Sequence, residues 1–549
     1  MGDGKRVIGW RGAGSAAVGG VVTAAVVAAA IGGYALYGAS PPGAATPAGR
    51  AGPGGEALTR EQVERAAARF LDAWERGDVD EAAAATDDRG PAGELITSYT
   101  RDARVGDLTL TPGPAAGARV PFSVRATVNH GDATARLTYA GALTVVPDRD
   151  GGAPRVDWRP SVVHPDLRPG DRLTTGRKPV RALDREGGEL TAAEHPSLVA
   201  LLDELDEEYG ASGAGPVGAE LRLVRGAESR RRGLSDRTLL EVAPGSRRTV
   251  RTTLDPQLQA EARLQVDGWA RASVVVTRVS TGEILAVADS DPASWTALRG
   301  ALAPGSTMKV VTASLLIEKG LASADAPHPC PKYFTHGGWK FHNDKKFEIE
   351  RGNFRDSFGS SCNTAFVGRA PDLAAGDLTR QAREVFGLGG GDWAIGIPAF
   401  GGSVPVQRGA SMAAALIGQG GVRMSPLTMA SVAATVRGGT FRPPYLVRPA
   451  AGESADHRAE RALSRATLVQ LRDLMAYTAG EGTAKEAMAG VDGERGAKTG
   501  SAEVVGQEEA DGWFTAYRND LAAAGVVRAS GHGGETAGPM VAALLRAGR

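Results

Sequence analysis

Apolar residues recur at helical spacing just after residue 58. Val63, Ala66, Ala67, Phe70 and Trp74 fall on one face, behind Thr59 and Gln62 at the spacing of a capping box. A second short helix is predicted over 80–86. The period then changes to two, predicting strands over 105–111, 120–129 and 133–146, the last two joined at His130-Gly131-Asp132, with a final strand over 156–158. Helices followed by a meander describe an α+β cone over 58–160, with Phe70 and Trp74 as its core. Residues 161–250 are poorly patterned: short strands over 221–224 and 239–242, a helix over 198–209, and a charge run, Arg230-Arg231-Arg232, read as a solvated loop. From 251 to 549 the pattern is α/β. Strands over 273–278 and 283–287 form a hairpin about Ser280-Thr281-Gly282. Helices over 306–319 and 464–477 lie in a mainly helical middle. Strands over 496–504, 513–517 and 522–527 precede a last helix, 536–546. This order predicts one sheet whose outer strands come from both ends of the domain, with helices inserted between them.

The N-terminus bears on compartment. No charged residue lies between Arg11 and Arg50, and the apolar run from Ala16 to Tyr37 follows Lys5, Arg6 and Arg11. At about 1.5 Å per residue this run spans a hydrocarbon core of ~30 Å. The basic flank places residues 1–15 in the cytoplasm as a tail. The expectation is an uncleaved single-pass anchor at 16–37, a Pro/Gly/Ala linker at 38–57, and everything beyond outside the cell membrane; the alternative is a cleaved signal peptide.

Composition narrows the field. Lys+Arg and Asp+Glu are both 63, giving a net charge of +0 and a pI of about 7.1, which argues against a nucleic-acid partner. A hydrophobic content of 42% with 23% charged residues excludes wholesale disorder. Two cysteines exclude a disulfide framework and a four-cysteine zinc site. His328, Cys330, His336 and His342 lie close together but lack a second paired motif, so no metal site is assigned. With only ten lysines and five asparagines in the chain, motifs that need them seldom arise by accident.

Three such motifs occur once each. In Ser306-Thr307-Met308-Lys309, Pro304-Gly305 breaks the preceding structure and an apolar helix follows. This places Ser306 at a helix N-terminus, where free N–H groups stabilise an oxyanion, with Lys309 one turn on as a base. Ser361-Cys362-Asn363 offers a hydroxyl that can relay a proton and an amide that can hold both a lysine and a substrate carbonyl. Lys498-Thr499-Gly500-Ser501, on a predicted strand, supplies a cation and two hydroxyls for a peptide carboxylate, a glycine that lets substrate backbone approach, and at Ser501 N–H a second oxyanion donor. Each alone reads more readily as a capped helix or a turn.

Together and in this order they resemble the S-x-x-K, S-x-N, K-T-G set of serine acyltransferases that handle penicillins. Thr253-Leu254-Asp255-Pro256-Gln257-Leu258-Gln259, Thr281-Gly282-Glu283-Ile284-Leu285-Ala286, Ile417-Gly418-Gln419-Gly420 and Ser425-Pro426-Leu427 extend this to class B penicillin-binding proteins, the membrane-anchored D,D-transpeptidases that cross-link peptidoglycan. The likeness covers 251–549. Upstream, Trp158-Arg159-Pro160-Ser161 with His164-Pro165 resembles the end of the NTF2-like domain of some members, and Asp184-Arg185-Glu186-Gly187 resembles part of their pedestal, or dimerisation, motif. Asp511-Gly512-Trp513 departs from the pattern, since many relatives carry His two before the Trp.

The resemblance implies a multidomain protein: anchor, NTF2-like cone at 58–160, pedestal-like segment at 161–250 and a β-lactamase-like transpeptidase domain at 251–549. Its implied catalytic residues are Ser306, Lys309, Ser361 and Lys498, and its substrate-binding residues Asn363, Thr499, Gly500 and Ser501. Peptidoglycan stem peptides are the implied substrate, β-lactams the inhibitors, and a glycosyltransferase or a divisome or elongasome component a partner; no cofactor is required. A D,D-carboxypeptidase, a β-lactamase and a non-catalytic scaffold remain as alternatives, although no E-x-x-L-N-like segment follows Asn363 to activate a deacylating water. Outside the cell Cys330 and Cys362 can pair, closing a loop of roughly thirty residues; the alternative is two unpaired buried side chains.

Overall fold

The computed structural model describes residues 58–148, 151–211, 217–291, 293–449 and 458–548. The anchor expected at 16–37, with its tail and linker, lies outside the described residues. No helix among those described is long and apolar enough to cross a membrane.

Residues 58–548 lie in one compact unit, which begins with three helices: α1 (Arg60–Glu75), α2 (Val79–Ala84) and α3 (Arg89–Arg101). The capping box forms as expected, with Thr59 and Gln62 satisfying each other's backbone N–H groups. The third helix was not anticipated, because Gly90, Pro91 and Gly93 read as breakers. They occupy its first turns, where proline sacrifices no intrahelical bond, and Ala92, Ile96 and Tyr99 supply its buried face. Strands β1 (Val105–Pro112), β2 (Arg119–His130), β3 (Ala133–Val146) and β4 (Arg155–Val156) form an antiparallel meander against these helices. Trp74 is central, its ring 5.6 Å from Tyr99 and 6.3 Å from Phe122.

The next segment is more ordered than its pattern suggested. It contains β5 (Arg172–Arg177), β6 (Arg181–Leu183), α4 (Val199–Tyr209), β7 (Ala219–Val224), α5 (Ala227–Arg231), β8 (Arg237–Ala243) and β9 (Thr249–Arg251). Its apolar residues divide between two cores. Leu173, Leu221, Leu223 and Val242 join the cone, whereas Val180, Leu190, Leu198, Leu205 and Val250 join the core of the C-terminal half. Arg230 is not the solvated residue expected; it lies in α5 and pairs with Asp203 at 3.1 Å and Asp236 at 3.5 Å. Arg185 reaches the C-terminal half, 3.6 Å from Glu283.

The C-terminal half opens with α6 (Pro256–Asp267), capped by Asp255, then β10 (Ala272–Arg278), β11 (Ile284–Asp289) and α7 (Thr296–Arg299). A helical lobe comes next: α8 (Lys309–Glu318), the hairpin β12 (Tyr333–His336) and β13 (Trp339–His342), α9 (Phe354–Gly359), α10 (Thr364–Val367), α11 (Asp377–Phe386), the two-residue strands β14 (Trp393–Ala394) and β15 (Pro398–Ala399), α12 (Gly409–Ala415), α13 (Pro426–Gly438) and α14 (Arg465–Gly480). The chain ends with β16 (Arg495–Ala502), β17 (Asp511–Arg518), β18 (Leu521–Val527) and α15 (Ala537–Ala547). The sheet is antiparallel in the order β11-β10-β18-β17-β16, so its edges come from the two ends of the domain. Alternation sorts its two faces: Val274 and Val276 pack with α6 and α15, and Val275 with the helical lobe.

Asp171, whose carboxylate is enclosed, accepts from Arg225 at 2.6 Å and from the N–H groups of Gly226 and Arg168. Asp171→Ala leaves that guanidinium buried without its partner, and we expect a loss of about 3–5 kcal/mol, measured as a lowered midpoint in denaturant.

Candidate active site

The first motif does not begin an α-helix directly. Gly305–Met308 is a 3₁₀ turn, and α8 takes over at Lys309. Ser306 therefore sits in a tight lead-in whose early N–H groups lack intrahelical acceptors. The turn lies flat against β16: Gly305 has φ +52°, and a Cβ there would stand 2.5 Å from Ser501 O. Thr307 Oγ1 donates to Pro304 O at 2.7 Å and closes the turn on itself. Apolar residues bury α8 on nearly every side, so Lys309 leaves its first turn inside the protein.

Lys309 Nζ has three short contacts: Ser306 Oγ at 2.8 Å, Ser361 O at 2.7 Å and Asn363 Oδ1 at 2.8 Å. Two of these are carbonyl oxygens that can only accept. In a neutral amine they take both N–H groups and leave the lone pair to accept the Ser306 hydroxyl proton. Lys498, entering from β16, donates to Ser361 Oγ at 2.9 Å and to Thr499 O at 3.0 Å. Both lysines are 0% exposed, and neither has a carboxylate partner among the described residues. Burial pushes the Lys309 ammonium well below its ordinary range, and repulsion from Lys498 adds to this. Burial alone brings Lys498 to about 7. Burial thus disfavours the charged form of both lysines, and at Lys309 the neighbouring Lys498 adds to it.

The second motif is held in an unfavoured conformation. Ser361 has φ +57°, in the left-handed region that non-glycine residues rarely enter. Asn343 fixes the start of α10: its Oδ1 accepts from the N–H of Asn363 at 2.8 Å and of Thr364 at 3.0 Å, and its Nδ2 donates to Pro331 O and Phe347 O. The pairing left open by the sequence is resolved, since Cys330 and Cys362 form a disulfide. Asn363 Oδ1 holds Lys309 as expected, while its Nδ2 donates to His342 O at 3.0 Å.

On the third motif Gly500 leaves room for Pro304 O, which a Cβ would meet at 2.9 Å. Thr499 Oγ1 lies 2.7 Å from Thr483 Oγ1, and Ser501 Oγ lies 3.4 Å from His532 Nδ1. All eight predicted residues thus gather where the sheet edge meets the helical lobe. Asn343, Thr483 and His532 were missed, because each acts through distant contacts that no local motif announces. Asp511, the departure from the family pattern, is buried and accepts from Ala529 N–H at 2.9 Å. His328 contacts Ala365 O and Phe354, Cys330 is in the disulfide, and no metal-holding cluster occurs among the described residues.

An antiparallel sheet whose edges come from the two ends of the domain, with three serine, lysine and asparagine motifs converging at one edge, defines the penicillin-recognising serine fold. The penicillin binding protein transpeptidase domain model matches residues 272–546, half of the chain, and the chain belongs to that family. The NTF2-like N-terminal transpeptidase domain model matches residues 62–171. Among characterised relatives, the peptidoglycan D,D-transpeptidase PbpA of Mycolicibacterium smegmatis is 29% identical over 46% of this chain, and that of Mycobacterium tuberculosis 26% over 46%. Each match spans 60% of the relative's length. Solved structures share the fold. Penicillin-binding protein A of M. tuberculosis, as a ceftriaxone acyl-enzyme, gives a TM-score of 0.50 at 24% identity over 55% of this chain and 79% of its own. The D,D-transpeptidase domain of a peptidoglycan glycosyltransferase from Eggerthella lenta gives 0.52 at 18% over 68% and 98%.

A lysine whose pKa falls on folding costs stability while its unfolded counterpart is charged. For Lys498 that cost is complete below about pH 7 and is relieved as pH rises toward the ordinary 10.5. Lys498→Met is expected to melt at a higher temperature than the parent at pH 7, with the gap narrowing toward pH 10; a pH-independent gap contradicts the assignment.

Proposed function

We propose that this chain is a D,D-transpeptidase that cross-links peptidoglycan stem peptides through a serine acyl-enzyme. The observation that carries the reading is the environment of Lys309, a buried amine held by two carbonyl acceptors within 2.8 Å of the Ser306 hydroxyl. In this reading Ser306 Oγ attacks the carbonyl carbon of the penultimate D-Ala as Lys309 takes its proton. The N–H groups of Ser306 and Ser501 stabilise the oxyanion. Ser361, bridging Lys309 and Lys498, passes a proton to the departing D-Ala amine, and the amine of a neighbouring stem peptide then takes the acyl group. Asn363 orients the donor peptide, Gly500 admits its backbone, and Thr499 and Ser501 bind its terminal carboxylate. β-Lactams mimic D-Ala-D-Ala, acylate Ser306 and stay. The PbpA relatives carry the same activity in their names, which supports this reading. The proposal includes a single-pass anchor at 16–37 with the catalytic domain outside the cell, and a glycosyltransferase or a divisome or elongasome protein as partner.

Incubation with benzylpenicillin is expected to add one drug mass, stable over hours, and Ser306→Ala is expected to abolish it. Lys309→Met should lose nearly as much, because groups acting as a unit are not additive. Thr499→Val removes one hydrogen bond to a charged group and should cost about 1.5–3 kcal/mol in acylation. Intact-mass spectrometry measures all three; an adduct that survives Ser306→Ala contradicts the mechanism, and rapid drug turnover indicates a β-lactamase.

For the topology, a phosphatase fused after residue 60 is expected to be active outside the cell. An inactive fusion, or a mature N-terminus near residue 40, overturns the anchored form.

A further inference from the structure

The carboxylate-binding end of the cleft contains a group that the three motifs do not include. The turn between β18 and α15 folds back onto the sheet edge at Gly533, where a Cβ would stand 1.9 Å from Trp513 O and 2.4 Å from Gly500 O. Only glycine permits so close an approach. It sets His532 at the mouth of the cleft, with Nδ1 3.4 Å from Ser501 Oγ and Nε2 3.8 Å from Asp344 Oδ2. Asp344 belongs to the opposite wall, directly after the Asn343 that holds the Asn363 loop. His532 thus spans the cleft from the K-T-G strand to the S-x-N side.

The transpeptidase reading, on which this inference rests, assigns a terminal carboxylate to Thr499 and Ser501. Their hydroxyls are neutral donors, and the Lys498 ammonium is directed at Ser361 Oγ and Thr499 O. Among the described residues His532 is the one basic side chain in hydrogen-bond contact with Ser501. It is half-exposed, and its far nitrogen faces a carboxylate. A carboxylate oxygen thus already stands beside the ring at this position, where a substrate carboxylate arriving at Ser501 can take its place.

We propose that His532 is a specificity-determining residue whose ring exchanges Asp344 for the terminal carboxylate of the substrate. The site then selects a free carboxylate over its neutral amide, and Asp344 competes with the substrate for the same ring. Asp511, standing where many relatives have a histidine, is turned into the β18–α15 turn.

The test uses the full chain in detergent, acylated by benzylpenicillin and by its carboxamide, with half-saturating concentration and maximal rate read separately. For His532→Gln the half-saturating concentration of the acid is expected to rise about tenfold, the scale of one charge-assisted contact, and that of the amide to change less than about twofold. Asp344→Asn, which touches neither Ser501 nor the sheet, is expected to lower the value for the acid alone. A His532→Gln protein with an unchanged acid-to-amide ratio overturns the proposal. So does an equal loss on both compounds, which marks a structural role. If the parent forms no adduct with either compound, the transpeptidase function fails and this inference fails with it. A parent that is acylated while the ratio does not respond to His532 refutes this inference alone.

Discussion

Two lysine side chains lie fully enclosed in this protein, within reach of one serine hydroxyl and with no carboxylate partner among the described residues. Burying an ammonium without a counter-ion is costly, and the group answers by releasing its proton. Around Lys309 that release is useful, because the two carbonyl oxygens that remain can only accept. They orient the amine, and its lone pair meets Ser306. A carboxylate anywhere in this shell would restore the charge on Lys309 and remove the base. The absence of acidic partners among the described residues is therefore as much part of the site as the residues present.

The rest of the fold can be understood as meeting this constraint. The sheet joins β10 to β18, so strands far apart in the chain share one surface, and β16 comes to rest beside the Ser306 turn. Gly305 makes that approach close enough to leave no gap. On the other wall, Ser361 is held in a left-handed conformation that its surroundings must impose. Asn343 does so with four hydrogen bonds to main-chain groups of the loops it joins, and the Cys330–Cys362 disulfide ties the same two loops. The Ser361 carbonyl and the Asn363 amide are thereby fixed before any substrate arrives, which is the preorganisation that electrostatic catalysis requires.

Much of this was legible from the chain, for identifiable reasons. Strong local signals carried through: the Thr59 capping box, the alternation of β2 and β3, and the apolar runs of β10 and β18. The three motifs converged because each needs rare residue types in a chain poor in lysine and asparagine. What escaped was set by tertiary contacts or by masked local signals. Helix α3 hid behind Gly90 and Pro91, which are breakers in an interior but tolerated in a first turn. The β12–β13 hairpin turns at Gly337-Gly338, both with positive φ, a legible two-residue turn signal submerged in a stretch read as helical. Arg230 looked like part of a solvated run, yet pairs with Asp203 on a different helix. Asn343, Thr483 and His532 have no motif at all; only the folded chain brings them to the cleft.

The central claim is that burial lowers the Lys309 ammonium well below its ordinary range, so that it can serve as the base toward Ser306. With ten lysines in the chain, selective ¹³Cε and ¹⁵Nζ labelling makes each resonance assignable by single substitution. An NMR titration of the detergent-solubilised protein is predicted to show Lys309 releasing its proton well below the ordinary 10.5. A Lys309 resonance that titrates with the exposed lysines near 10.5 would contradict the account.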